Sequence, residues 1–484
     1  MSHASVEDLL ARLAPAAHIA GERLEITDQA RFRDELVGEL AFEAVFSPDS
    51  GLRDASRWLI WAASQELGCG SASIHELYMA RGRGEIGATA FTVPAINVRV
   101  STYLTARQAF AAALERDAAT VIFEIAKSEM AYTDQRPAEY AAVILAAAIR
   151  EGWSSPVFLQ GDHFQFNANK WADDPAQELE GIKQLTREAV GAGFLNIDID
   201  SSTLVDLSRP TVAEQQAVNA LNTVELTGLI RELEPDGVTI GIGGEIGEVG
   251  KDNSTEAELR AYLDAYFGEL HGSGVAGISK VSIQTGTSHG GVPLPDGSIA
   301  EVTIDFDTLR RLSTLARGEY GLAGAVQHGA STLPDDAFHH FSASGAAEVH
   351  LATGFQNITY DDGGLPAELR AEMMDWVRAN CADERSDGQT DEQFLYKARK
   401  KAVGPFKRQL WTLPADAADQ IAGNLRRKFG LLFDELGVAG TRQVVERFVT
   451  RVPLARPLPE SLGGERRETV RAAALVFEND PSGE

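Results

Sequence analysis

Between residues 90 and 355 the chain alternates short apolar runs with longer amphipathic stretches. The short runs are rich in β-branched and aromatic residues and bounded by turn formers, the pattern of strands. Eight stand out: FTVPAINV (91–98), TVIFEI (120–125), PVFLQ (156–160), FLNIDID (194–200), GVTIGIG (237–243), ISKVSIQ (278–284), LAGAVQ (322–327) and AEVHLA (347–352). Between them, stretches such as ARQAFAAALER, EYAAVILAAAIREG and AQELEGIKQLTREAVGAG carry apolar residues at helical spacing, several ending in Gly as a helix C-cap does. Strands that alternate with helices predict βα units around a parallel sheet. Their count and span match a (β/α)8 TIM barrel, an α/β fold.

An open doubly wound sheet is the rival. The dinucleotide fingerprint GxGxxG is absent after the first run, and the Gly-rich GIGGEIGEVG (241–250) follows the fifth and leads into a polar loop, so it is not read as a phosphate-binding turn. The expected organisation is a helical N-terminal extension (1–85), the barrel with its site (86–360) and a helical C-terminal extension (361–484). Stretches such as DASRWLIWAASQEL and LPAELRAEMMDWVRANC carry the helical reading of the two flanks.

Composition narrows the function classes. With 484 residues, 44% of them hydrophobic, the chain can bury a large core. Cys69 and Cys381 form no CxxC pair, so neither a disulfide framework nor a thiolate metal site is indicated, and a cytoplasmic location is expected. The start lacks a signal-peptide pattern and no run is long enough to span a bilayer. A formal charge of −27 argues against nucleic-acid and membrane partners, both of which are held first by basic residues. A phosphorylated metabolite would need a metal, backbone amides or local basic groups. The basic stretch YKARKKAVGPFKRQLW (396–411) reads first as a solvated helix pairing with acidic neighbours; the sharper reading is a lid or subunit contact that brings Lys401, Lys407 or Arg408 toward an anionic substrate.

Four of the ten histidines fall on or just after predicted strands: His163, His289, His328 and His350. Strand C-termini of this barrel converge on one mouth. Imidazoles gathered there are explained most directly by a shared metal, and three of them with an open fourth position make a catalytic zinc arrangement. Gly lies beside His in QGDH, TGTSHGG and QHGAS, permitting close backbone approach to a ligand. Asp162, Asp200, Glu245 and Asp252 are the acid and base candidates.

These motifs, in this order, resemble the class II, zinc-dependent fructose-bisphosphate and tagatose-bisphosphate aldolases over about residues 72 to 360. The resemblance implies Asp162 and His163 as catalytic aspartate and zinc ligand, with Gln160 where the family has its first His. It also implies Glu245 at the family's metal-contacting carboxylate, Asp200, at its strand-four aspartate, as a further metal ligand, and His289 and His328 as zinc ligands. Gly290, Gly329 and Ser331 would hold phosphate, and Asn97 would contact substrate. Asp252, or Glu248, would handle the enediolate proton. The strand-eight NxDT appears as HLAT, giving His350 and Thr353 as substrate-binding positions with Ala352 between; Ala126 and Glu124 depart from the family's serine and glutamine.

The implied activity is reversible aldol cleavage of a ketose (bis)phosphate or related sugar phosphate through a zinc-stabilised enediolate. Zinc is the expected cofactor, with a second divalent or a monovalent cation left open, and a homo-oligomer is expected. QGDHFQFN also resembles the non-catalytic partner subunit of tagatose-bisphosphate aldolase, which is the alternative function. A Schiff-base mechanism on Lys127 or Lys280, and a zinc hydrolase, are the other rivals.

Overall fold

The computed structural model describes residues 3–247, 252–286 and 304–465. Each of the eight predicted runs overlaps a strand, three of which extend past the run: β1 (Val93–Asn97), β2 (Ile122–Ala126), β3 (Phe158–Gln165), β4 (Asn196–Asp200), β5 (Gly241–Glu245), β6 (Lys280–Ile283), β7 (Ala325–Gln327) and β8 (Glu348–Leu351). Every neighbouring pair is parallel and β8 closes on β1, so the sheet has no edge. The chain is a (β/α)8 barrel.

Local signals set the surrounding helices. Pro137 opens the helix after β2, and Gly152, at φ 74°, ends it. Capping boxes, Thr211 with Glu214 and Thr255 with Glu258, start the helices after β4 and β5, each satisfying two backbone donors that a helix start leaves exposed. Among the described residues no helix is long and apolar enough to cross a membrane.

The sequence boundary of β3 was the least accurate and the most consequential. The strand continues past Gln160 to Gln165, because its pairing with β4 shifts between Gly161 and Phe164: Gly161 lies opposite Ile197 and Phe164 opposite Ile199. Three residues on β3 thus match two on β4, which is a β-bulge. His163 sits in it at φ 39°, a region that non-glycine residues rarely occupy. The bulge breaks the two-residue alternation of a strand, allowing the consecutive Asp162 and His163 both to meet groups inside the barrel.

The interior is unusually polar. Along β4, alternation puts Asn196, Asp198 and Asp200 on one face, all buried. The glycines of β5 make room for them. A Cβ on Gly241 would come within 2.6 Å of Asn196 Oδ1, and one on Gly243 within 2.3 Å of Asp198 Oδ1 and 2.9 Å of Lys280 Cε. The Gly-rich string thus serves packing across the barrel.

The lower end is closed by helix His75–Gly82. Tyr78 there donates to Glu348 of β8, and the Ile74 N–H donates to Asn196 at 2.9 Å. The N-terminal flank also contains a hairpin, Ala17–Ala20 with Arg23–Ile26, absent from the helical reading of that region. The C-terminal flank returns over the N-terminal one: Trp58 and Trp61 donate to the carbonyls of Arg456 and Leu454 at 3.0 and 2.8 Å.

A second, smaller apolar core joins Val100, after β1, and Tyr360, after β8, to Met373, Val377, Phe394, Val403 and Leu410. Most of the basic stretch is spent on it. Arg399 lies between the Tyr360 and Tyr396 rings and pairs with Asp361 at 2.6 Å, Lys401 pairs with Glu384, Lys407 pairs with Glu139 at 2.8 Å, and Arg408 covers the Phe42 and Phe46 rings. Gly404 is where this flank touches the short helix Lys127–Tyr132 that follows β2 directly, and a Cβ there would come within 2.6 Å of the Tyr132 carbonyl. Gly404→Ala is expected to destabilise the fold by about 1–3 kcal/mol, measured as a lowered midpoint in urea unfolding with unchanged slope.

Candidate active site and metal centre

At the C-terminal mouth, His163 from the β3 bulge faces the last residues of β4 and β5. Its Nδ1 is 3.0 Å from Asp200 Oδ2 and 3.1 Å from Glu245 Oε2. The His328 ring, just beyond β7, lies 4.2 Å from the His163 ring between centroids, and its Nε2 is 3.0 Å from Ser282 Oγ. Ligand atoms of His163, Glu245 and His328 lie within 4.8 Å of one another. All three side chains are buried. Asp200 is committed around them: besides His163, it accepts from Gln165 Nε2 at 2.6 Å and from the Ser202 hydroxyl and N–H at 2.7 and 3.0 Å. That bonding makes Asp200 the residue that orients His163, where the sequence expectation was a ligand.

Asp162 lies immediately inside this cluster, wholly buried. Asn97, at the end of β1, donates to its Oδ2 at 2.8 Å, and the His350 ring Nδ1 is 3.1 Å from its Oδ1. Asn97 therefore holds Asp162, and its expected role as a direct substrate contact is not what its amide nitrogen does. His350 also departs from expectation. Its side chain has no exposure, and its Nε2 is 2.7 Å from Glu348 Oε1, so both ring nitrogens face carboxylates and neither is turned to a substrate. The Gly329, Ser331 and Thr353 positions do come together, at the ends of β7 and β8. Ser331 Oγ accepts from the Ala352 N–H at 2.6 Å, Gly329 adopts φ 69°, and Thr353 begins a helix. Asp252 is exposed on the loop after β5, and among the described residues no contact joins it to the cluster. His289, Gly290 and Glu248 lie outside the described residues.

Beneath the cluster is a layer that the sequence reading left out of the site. Lys280 Nζ donates to Gln160 Oε1 at 2.8 Å, to Asp198 Oδ2 at 2.9 Å and to Glu348. Gln160 in turn donates to Glu124 Oε2 at 2.7 Å and Glu348 Oε1 at 2.8 Å. The signal available was strand alternation: Asp198 stands two residues before Asp200, and Glu348 two before His350. This layer also disposes of Lys280 as a Schiff-base nucleophile. The pull of Asp198 and Glu348 outweighs burial and holds its ammonium above the ordinary lysine range, leaving no free amine.

The electrostatics call for a cation. Burial and the neighbouring Asp200 charge raise the Glu245 carboxyl to about 8. Burial acts against a charged His163, but Asp162 and Glu245 outweigh it and hold the imidazole well above its ordinary value. Protons thus occupy a place where carboxylate and imidazole donors converge, a set suited to zinc. On that chemistry the residues fit the metal.

The sequence profile of the class-II fructose-bisphosphate aldolases matches residues 85–404, and the chain belongs to that family. Among solved structures it is similar to a fructose-bisphosphate aldolase from Campylobacter jejuni (16% identity, 75% of this chain and 93% of that one, TM-score 0.44). It is also similar to the YdjI aldolase from Escherichia coli K12 (14%, 72% and 99%, TM-score 0.38). A fructuronate-tagaturonate epimerase, UxaE, from Cohnella laeviribosi matches over more of the chain (12%, 89% and 99%, TM-score 0.52), a likeness of fold. No curated protein sequence matches.

Metal removal should expose the proton occupancy of the site. Glu245 and His163 are both raised in the folded state, so metal-free protein binds protons that the unfolded chain releases from about pH 4.5 upward, and its stability must fall as pH rises toward 8. The unfolding midpoint after chelation is expected to be lower at pH 8 than at pH 5.5, and zinc should reduce that loss because its ligands bind it deprotonated. A chelated protein equally stable at both values would contradict this electrostatic account.

Proposed function

We propose that this protein is a zinc-dependent aldolase that cleaves and forms a carbon–carbon bond in a ketose, a ketose phosphate being the first substrate class to test. The observation that carries the reading is the placement of Asp162 directly inside the His163–Glu245–His328 cluster at the barrel mouth. His163, His328 and Glu245 would hold the metal, with His289 as the further ligand implied by the family. A bound zinc supplies a Lewis acid for the charge that develops on the substrate's carbonyl oxygen, worth several kcal/mol.

The chain's own residues then act around it. Burial tends to raise Asp162, but the charges of His163 and His350 and the Asn97 and His350 hydrogen bonds hold it below the usual carboxylate range. It is therefore an ionised base, set to accept the proton of the hydroxyl whose carbon–carbon bond breaks and to return it in the synthetic direction. Asp200 fixes the His163 ring, as an outer hydrogen-bond partner fixes a ligand histidine. The Gly329–Ser331 turn and the helix that begins at Thr353 offer backbone N–H groups to an anionic end of the substrate. Asp252 is assigned the second proton transfer, at the carbon beside the carbonyl.

A second reading is epimerisation of a non-phosphorylated ketose by breaking and remaking the same bond without releasing the aldehyde. The observation that favours it is at β8. His350 is turned away from substrate, Ala352 supplies no polar side chain, and the Ser331 hydroxyl is engaged by the Ala352 N–H, which leaves few side chains for a phosphate.

A panel of ketose mono- and bisphosphates and of keto-sugar acids, scored separately for aldehyde release and for inversion, distinguishes the readings. Asp162→Asn is expected to retain zinc and lose about 10²- to 10⁴-fold in kcat, whereas His163→Ala is expected to lose zinc and activity together. Wild type that holds zinc but turns over nothing in the panel would refute both readings.

A further inference from the structure

Asp162 is held by two chains of buried groups, each ending on a fixed cation. On one side, Asn97 Nδ2 donates to Asp162 Oδ2 at 2.8 Å and to Glu129 Oε2 at 3.0 Å, and Glu129 pairs with Arg99. On the other, the His350 ring spans Asp162 Oδ1, 3.1 Å from Nδ1, and Glu348 Oε1, 2.7 Å from Nε2; Glu348 pairs with Lys280. Around the ring, Glu124 Oε1 is 3.1 Å from Nδ1 and Asp198 Oδ2 is 3.7 Å from Nε2.

We infer that His350 is a positioning residue for Asp162, anchored from below by Glu348 and Lys280. The inference rests on the reading of Asp162 as the proton-handling group. An imidazole carries two opposed ring nitrogens, so one side chain can join Oδ1 of Asp162 to a carboxylate deeper in the barrel; a shorter amide presents its nitrogen to one end alone. The consequence is a carboxylate fixed at both oxygens. Oδ2 is held by the β1 amide and Oδ1 by the β8 imidazole, so the group cannot swing toward the cation cluster and keeps its remaining lone pairs for the substrate hydroxyl. A catalytic group must be held within about 0.5 Å of its productive place by its supporting contacts. His350 supplies that support from β8, the strand paired with Asn97's β1, at the other carboxylate oxygen, and Lys280 keeps Glu348 ionised and in place.

Two amide substitutions separate the ring's two contacts. His350→Asn puts an amide nitrogen where Nδ1 stands and keeps the Asp162 contact; His350→Gln reaches toward Glu348 and loses it. The positioning role predicts that His350→Gln loses about 10²-fold or more in kcat with KM and bound zinc unchanged, while His350→Asn stays within about tenfold of wild type. Exchange of the carbon-bound protons of dihydroxyacetone phosphate with deuterated water, which does not use Asp162, should proceed in both variants. In the metal-free protein, a ring N–H resonance in proton NMR, assigned to His350 by its loss in His350→Gln, should move on Asp162→Asn. Equal kcat in the two amide variants, whether near wild type or lost together, overturns the assignment. Wild type that holds zinc but neither cleaves nor exchanges overturns the parent reading, and this one with it.

Discussion

The constraint on which the rest depends is the burial of many carboxylates inside one barrel. Glu124, Asp162, Asp198, Asp200, Glu245 and Glu348 are all buried within the interior or its mouth. An unpaired buried charge is costly enough that such groups either neutralise or acquire partners. The lower layer has its cation built in, as Lys280 bonded to Asp198, Glu348 and Gln160. Among the described residues the upper layer has only imidazoles, and there protons stand in: Glu245 rises to about 8 and His163 rises with it. The difference between the two layers is what makes the upper one a candidate metal centre. Glu124, Asp198, Glu348 and His350 also bring donor atoms together, but there the Lys280 ammonium bonds Asp198 and Glu348 and the Gln160 amide bonds Glu124.

The β3 bulge connects this charge problem to geometry. A regular strand would aim only one of Asp162 and His163 into the barrel. The extra residue between Gly161 and Phe164 gives both an inward path, and His163 takes a left-handed backbone conformation to follow it. Strain of this kind persists where the surrounding contacts over-determine it; here Asp200, Glu245 and the His328 ring do so. One local irregularity thus sets a base and a ligand side by side.

Much of this was legible in the residues. The eight apolar runs located the eight strands, because buried parallel strands are short, apolar and bounded by turn formers. The histidines and acids at strand ends were legible for a related reason: closure of the barrel gathers such ends at one mouth. Three things were not. The bulge depends on pairing with β4, which no local pattern in QGDHFQ reveals. The lower layer of Glu124, Asp198, Lys280 and Glu348 is made of charged residues inside strands, which strand reasoning takes as exceptions. The inversion of His350, from a presumed substrate contact to a buried bridge, depends on Glu348 below it and Asp162 across from it, residues distant in sequence or hidden by alternation.

The central claim is that the upper cluster is the metal site and the lower layer is already balanced by Lys280. The most direct measurement is a crystal structure of the zinc-loaded protein with the ion located by anomalous scattering. The account predicts one ion at about 2.0–2.1 Å from nitrogens of both His163 and His328, with Lys280 still bonded to Asp198 and Glu348. An ion seated among Glu124, Asp198 and Glu348 in place of the ammonium, or no ion bound by the histidines, would contradict it.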